Sequence, residues 1–265
     1  MQGLGSFPGA ARVKGVFCDI DDTLTTEGRL TAEAYSAMER LRTSGRLVVP
    51  VTGRPAGWCD HIARMWPVDA VVGENGAFYF CYDPRMRRLA KRFVDDEATR
   101  LRNRTRLTLV RERILREFPD AAVASDQLYR ESDLAIDFCE DVPRLPEEAI
   151  RRIIAIMEDS GMTAKMSSIH VNGWFGCYDK LRTTKLLMRE RFGVDLDLAR
   201  DDYVFVGDSP NDAPMFEYFS FSVGVANARD FGERLAHAPA FLTGKRCSAG
   251  FAELADLIIS AGVAR

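Results

Sequence analysis

VFCDIDDTLT, Val16 to Thr25, is an apolar run that ends on Asp19, with a second acid at Asp21 and a hydroxyl at Thr23. A strand that stops on a carboxylate places it at the rim of a sheet, where open α/β folds gather their ligands. While the chain stays extended, the acid two residues on faces the same way. Carboxylates that close repel each other unless a cation or a shared proton offsets them. Mg²⁺, a hard ion that prefers carboxylate oxygen, is the expected partner. Spacing alone does not say which acid does which job.

Later segments repeat the pattern in order. RLVVPVTGRP (Arg46 to Pro55) reads as a second apolar strand, ending on Thr52 and the turn Gly53–Arg54–Pro55. DAVVGENGA is a third, with Asn75 just beyond its end, placed to contact substrate or to shape the rim loop. CYDKLRTTKLL puts Lys180 at the entrance of an amphipathic helix, whereas Lys185 is followed by Leu186 and Leu187, as a helix-body residue is. DDYVFVGDSPNDAPMF (Asp201 to Phe216) is another strand, ending on Gly207–Asp208 with Asn211 and Asp212 close behind. Each has a plainer reading alone. Thr52–Gly53 makes an ordinary turn, and an Asp before an apolar run is a common helix cap. Their order and shared rim position outweigh those separate readings.

Asp-x-Asp-x-Thr, strand–Thr–Gly–Arg, Lys, then Gly–Asp–Ser–x–Asn–Asp resembles the haloacid dehalogenase superfamily of phosphohydrolases, over Asp19 to Asp212. GENGA and a long insert before Lys180 are similar to its capped branch, type IIB, the Cof-like sugar phosphatases. GENGA and PNDAPM are also similar to mannosyl-3-phosphoglycerate phosphatases. Asp22 stands where many relatives have Gly. The resemblance implies an α/β fold, a doubly wound Rossmann-like parallel sheet core with an inserted α/β cap domain. It implies a Mg²⁺-dependent phosphomonoester hydrolase acting on a small phosphorylated metabolite, a sugar phosphate above all, through a phosphoaspartyl intermediate. Asp19 is then the nucleophile and Asp21 the general acid and base. Mg²⁺ is held by Asp19, the Asp21 main-chain carbonyl and Asp208, with Asn211 and Asp212 orienting from behind. Thr52, the Gly53 amide and Lys180 meet the phosphate, and Arg54, Asn75 and Asn211 complete the substrate site. Two alternatives stay open. A phosphomutase of the same capped branch, such as a phosphomannomutase, uses the same acids. A phospho-receiver protein stores a phosphoryl group without turnover, but its acidic pair lies early in the chain, whereas Asp208 and Asp212 come late.

Bulk properties narrow the class. With 265 residues, 46% hydrophobic and 28% charged, the chain is an ordinary globular one. A net charge of −3 gives no reason to expect nucleic acid or an anionic membrane as partner. MQGLGSFPGAARVKG lacks the apolar core of a signal peptide and reads as a flexible lead-in. The six cysteines are scattered with no Cys-x-x-Cys, pointing to reduced thiols and a cytoplasmic protein. His61, His170 and His237 are far apart, so zinc is not expected. His170, in the strand-like SIHVNG, is a candidate for substrate contact and otherwise structural. No interface pattern is legible, so oligomeric state stays open.

Strand–helix alternation marks a core at 1–83 and 176–265, with 84–175 as the cap, where helices cover a small antiparallel or mixed sheet. The basic run RMRRLAKRF opens that insert as a solvated face. ARDFGERLAHA, near the C-terminus, reads as a helix.

Overall fold

The computed structural model describes residues 1–263. Its main sheet runs in the order Gln2–Gly3, Phe241–Leu242, Ser222–Gly224, Tyr203–Gly207, Gly15–Cys18, Leu47–Pro50, with every neighbouring pair parallel. A parallel bridge between Val51 and Val72 brings Val71–Gly73 alongside. The central strands are buried on both faces, which is why they read as unbroken Val and Phe runs rather than alternating ones. From Gly15–Cys18 the chain winds outward through Leu47–Pro50. After the insert it winds the other way, from Tyr203–Gly207 toward Phe241–Leu242. The order thus reverses between Gly15–Cys18 and Tyr203–Gly207, and the crevice beyond their carboxyl ends is the ligand position of such folds. Cys18 lies opposite Val206, and the Asp19 N–H donates to the Val206 carbonyl at 2.9 Å. Asp19 and Asp208 therefore leave the sheet side by side.

The insert is a four-stranded antiparallel sheet in the order Thr163–Met166, His170–Trp174, Asp133–Asp137, Ala122–Val123, covered by helices Glu97–Glu117 and Glu147–Asp159. Its strands alternate. Leu134, Ile136 and Val171 join Leu107, Ile114, Ile150 and Ile153 in one apolar cluster under the helices. The residues between them (Asp133, Asp137, His170 and Asn172) are buried too, and so form a polar face turned away from that cluster.

Three expectations are corrected. The lead-in is packed, not loose: Gln2–Gly3 extends the sheet, and the Phe7 ring sits 5.2 Å from those of both Phe221 and Phe241. Leu4, Ala10 and Val13 are buried with Phe7 in the core, and together they tie down this Gly-rich segment. The basic run does not open the cap. Arg88–Phe93 pairs in antiparallel register with Phe78–Asp83, a hairpin on the core. Long basic side chains suit an edge strand, where they keep the open ladder from recruiting another chain. Finally, the ARDFGERLAHA helix is a 3₁₀ segment, Ala226–Arg234, broken at Gly232, whose φ is +51°. All six cysteines are free thiols. No helix among the described residues is long and apolar enough to cross a membrane.

Candidate active site

The rim carboxylates converge around one ammonium. Lys180 Nζ donates to Asp19 Oδ1 at 2.9 Å and to Asp212 Oδ1 at 2.7 Å, with all three side chains buried. Helix Lys180–Phe192 holds the lysine here, because the Asp179 carboxylate caps its first turn by accepting the Arg182 N–H at 2.7 Å. Lys185 lies outside the site, paired with Asp197 at 2.6 Å. Burial alone would lower the Lys180 ammonium, but the charges of Asp19 and Asp212 outweigh it and raise it above its ordinary value.

Asp212 uses both oxygens on the protein. Lys180 takes Oδ1, while Oδ2 accepts the main-chain N–H groups of Asp208 (3.1 Å) and Ser209 (3.3 Å). Gly207 makes this possible, since a Cβ there would stand 2.3 Å from Asp212 Oδ2. Asp208 differs. Its Oδ2 accepts from Asn227 Nδ2 at 3.2 Å, but its buried Oδ1 has no hydrogen-bond partner among the described residues. Oxygens of Asp19, Asp208 and Asp212 lie within 4.8 Å of one another. Burial raises the Asp19 and Asp208 carboxyls, each pushed further by neighbouring acids, with Lys180 opposing. An orphaned carboxylate oxygen in a hard-donor cluster short of positive charge fits a divalent cation such as Mg²⁺. Asp19 and Asp208 have oxygens to spare for it, whereas Asp212 orients Asp208 from behind.

Thr52 is fully buried at the end of its strand, and its Oγ1 accepts the Arg54 N–H at 3.0 Å, so the hydroxyl proton is left to donate elsewhere. The Asn75 N–H donates to the Thr52 carbonyl at 3.0 Å, and Asn75 Nδ2 is buried without a partner among the described residues. Asn211 does not reach Asp208: its Nδ2 donates to Asn75 Oδ1 at 3.4 Å and its Oδ1 accepts from Ser209 Oγ at 2.8 Å. Asn75, Asn211 and Lys180 line one cavity of about 380 Å³ between core and cap. Asp22 and Asp208 line another of about 290 Å³. Asp22 has φ +53°, a left-handed conformation that glycine adopts without strain.

Arg54 is 4% exposed, stacked 4.4 Å over the Trp58 ring. Its Nε and Nη2 grip Asp21, the shortest bond being 2.7 Å, and Nη2 also donates to Glu140 Oε1 of the cap at 2.9 Å. Nη1 lies 3.4 Å from Asp126 Oδ2, also of the cap.

The profile of the haloacid dehalogenase-like hydrolases matches residues 16–101 and 178–253, both halves of the core. The chain belongs to this family. A phosphoglycolate phosphatase of Methanothermobacter thermautotrophicus is 27% identical over 82% of this chain and 86% of its own. A crystallised HAD/Cof-like hydrolase from Plasmodium vivax superposes with a TM-score of 0.66 at 16% identity, covering 94% of this chain and 96% of that one. A HAD subclass IIB sugar phosphatase does so with 0.64 at 13% identity, covering 95% and 100%. The expectation of a capped, Cof-like member of the family, and of an enzyme of the phosphatase class, is met.

Several site residues of this HAD-like chain escape a reading of the sequence. Asn227 ties two loops together, donating to Asp208 Oδ2 and to the Asp22 carbonyl at 2.9 Å, while its Oδ1 accepts the Cys247 N–H at 2.8 Å. It ends the strand-like FSVGVAN, so the rim position that singled out Asp19 was available for it too. Glu74, fully buried, accepts main-chain N–H groups from Ala56 (3.0 Å), Glu131 (2.9 Å) and Ser132 (2.6 Å), clasping core to cap. Arg130 donates to the Gly53 carbonyl at 2.9 Å and pairs with Asp126 and Asp133. Nothing local ties Glu74, Arg130, Asp126 or Glu140 to the site, because the contacts that do so, to Glu131 and Ser132, to Gly53 and to Arg54, cross the interface.

Proposed function

We propose that this chain is a Mg²⁺-dependent phosphomonoester hydrolase for small phosphorylated metabolites, sugar phosphates in particular, working through a phosphoaspartyl intermediate on Asp19. One observation carries the reading: Lys180 bridges Asp19 and Asp212 while the neighbouring Asp208 keeps one buried oxygen unpaired.

An Asp19 oxygen attacks phosphorus, forming a P–O bond as the ester P–O bond breaks, and Asp21 gives its proton to the departing alkoxide. Arg54 has to release Asp21 before that carboxyl can meet the ester oxygen. In the second half Asp21 takes a proton from the water that attacks phosphorus, and inorganic phosphate leaves Asp19 free again. Thr52 donates its hydroxyl to the transferring group, joined by the Gly53 amide, and Lys180 offsets the charge shared by Asp19 and phosphate. Asn75 and Asn211 face the substrate cavity beside Lys180. Asp19, the Asp21 main-chain carbonyl and Asp208 would hold Mg²⁺, with Asp212 fixing Asp208. Bound there, the ion supplies positive charge against the transferring phosphoryl oxygens. The insert acts as the specificity cap, excluding bulky substrates, and free thiols suit a reducing, cytoplasmic setting. Partners are small phosphate esters, without nucleic acid or membrane.

The test is phosphate release from a panel of sugar phosphates with Mg²⁺ and with a chelator. The reading expects Mg²⁺-dependent release. Isomerised sugar phosphate in place of free phosphate would make the chain a mutase.

A further inference from the structure

We propose that Glu140 and Asp126 of the cap are positioning residues for the reaction: they take over the Arg54 guanidinium when Asp21 turns to the ester, so that seating the cap is what frees the acid. This rests on the hydrolase reading above and adds to it the device that releases Asp21.

The argument begins with a shared cation. Asp21 Oδ1 accepts from Arg54 Nη2 at 2.7 Å and from Nε at 3.0 Å, and its Oδ2 lies 3.0 Å from the same Nε. A carboxyl gripped on both oxygens cannot also reach a departing ester oxygen. Arg54 is buried, however, and a guanidinium stripped of its only anion in the interior is strongly unfavourable. Another anion has to be waiting. The cap presents two, with Glu140 Oε1 2.9 Å from Nη2 and Asp126 Oδ2 3.4 Å from Nη1. The second contact is long beside the roughly 2.7–2.9 Å of a charge-assisted bond, which leaves slack for the guanidinium to move toward the cap. The Trp58 ring 4.4 Å away permits that slide, because stacking fixes the plane of the guanidinium and not its place within the plane.

Both cap acids are held so that they cannot follow Asp21. Arg130 Nε donates to Asp126 Oδ1 at 3.0 Å, and the same guanidinium reaches the Gly53 carbonyl, next to Arg54, at 2.9 Å. Glu140 stands in a turn where Asp137 Oδ1 accepts the N–H groups of Cys139 (2.9 Å) and Glu140 (2.7 Å), which fixes the direction of its side chain. Its other oxygen, Oε2, is paired with His170 Nε2 at 2.8 Å. Asp21 and Arg54 belong to the core, whereas Glu140 and Asp126 belong to the insert. A cap lifted off the core therefore leaves Arg54 to Asp21 alone, and a seated cap lets the carboxyl go.

The test measures kcat/KM for the full chain with Mg²⁺ on phenyl phosphate and p-nitrophenyl phosphate. The two leaving groups are close in size and carry no hydroxyl for the cap to read, but phenolate needs a proton from the enzyme far more. Because kcat/KM ends at departure of the leaving group, it isolates the step in which Asp21 is the acid. In Glu140→Ala the ratio of phenyl to p-nitrophenyl phosphate should fall at least about tenfold, part of the roughly 10²- to 10⁴-fold that a positioned acid supplies. Glu140→Gln, whose amide oxygen still accepts but carries no charge, should fall in between. Removing the guanidinium as well, in Glu140→Ala/Arg54→Met, should restore the ratio, since nothing then holds Asp21. If these residues only latch the cap, both esters decline together in Glu140→Ala and the ratio stays fixed, which overturns the inference. A ratio that falls and is not recovered in the double variant overturns it too. No release of phosphate from either ester by the unaltered chain overturns the hydrolase reading itself, and this inference with it.

Discussion

Asp208 and Asp212 are both buried acids on one short loop, yet their oxygens are committed differently, and that difference sets what each can do. Asp212 is consumed by Lys180 and two main-chain amides. Asp208 keeps Oδ1 open. In metal-free protein three carboxylates share one ammonium, so removing one negative charge relieves the folded state while removing the site. Asp208→Asn should therefore raise the metal-free Tm by about 2–4 °C, the shift of roughly 1 kcal/mol in a chain of this size. With Mg²⁺ held as proposed, the unaltered protein should gain a further rise in Tm that Asp208→Asn lacks. Thermal scans of both proteins with and without Mg²⁺ read both effects, and a lower metal-free Tm for Asp208→Asn would count against this view of the cluster. Lys180→Met does the reverse, leaving buried acids without their counter-charge. It should destabilise the metal-free chain by about 3–5 kcal/mol in urea unfolding, with Mg²⁺ restoring part of the loss.

Elements carry these residues to the rim, and the strands that do so were legible because each is a short apolar run stopping on a polar residue. Asp19, Thr52, Asn75 and Asp208 were all read from that one pattern, and Lys180 from a helix entrance. What escaped has a common cause. Arg88–Phe93 is a strand by pairing rather than by composition, and Ala226–Arg234 carries helical content but is broken by one glycine with positive φ. The contact between the GENGA loop and the lysine helix is equally hidden. Gly76 has φ +109°, and a Cβ there would stand 2.1 Å from the Asp179 carbonyl oxygen, at the cap of the helix that presents Lys180. Gly76→Ala cannot be absorbed by a side-chain movement, since the obstacle is backbone. It should cost about 1–3 kcal/mol in stability and lower kcat by displacing Lys180. Unfolding midpoint and kcat measured on the same preparation check this, and an unchanged kcat in a destabilised protein would separate the loop from the lysine.

At the scale of the whole molecule, core and cap meet through buried ionic and main-chain links: Glu74 to the amides of Glu131 and Ser132, Arg130 to Gly53, Arg54 to Glu140 and Asp126. None was legible, because a sequence shows that strands alternate but not which of their faces another unit covers. The polar face of the cap sheet is intelligible only once the core lies against it. Burial would raise the Glu140 carboxyl, but His170 and the Arg54 charge outweigh it and hold it down to about 2, against an ordinary 4.5. A carboxyl with a depressed folded value binds fewer protons folded than unfolded. Its stabilisation is complete above about pH 5 and is lost as pH falls toward 2. The Tm gap between the unaltered chain and Glu140→Gln should thus narrow steadily from pH 6 to pH 3, and a gap independent of pH would remove Glu140 from the link.

The account rests on Asp19 as the atom that takes the phosphoryl group, and one comparison addresses it: phosphate release from sugar phosphates with Mg²⁺ by the unaltered chain and by Asp19→Asn. Loss of kcat by at least about a thousandfold in a variant that still folds is the result predicted. Comparable turnover by Asp19→Asn would contradict it.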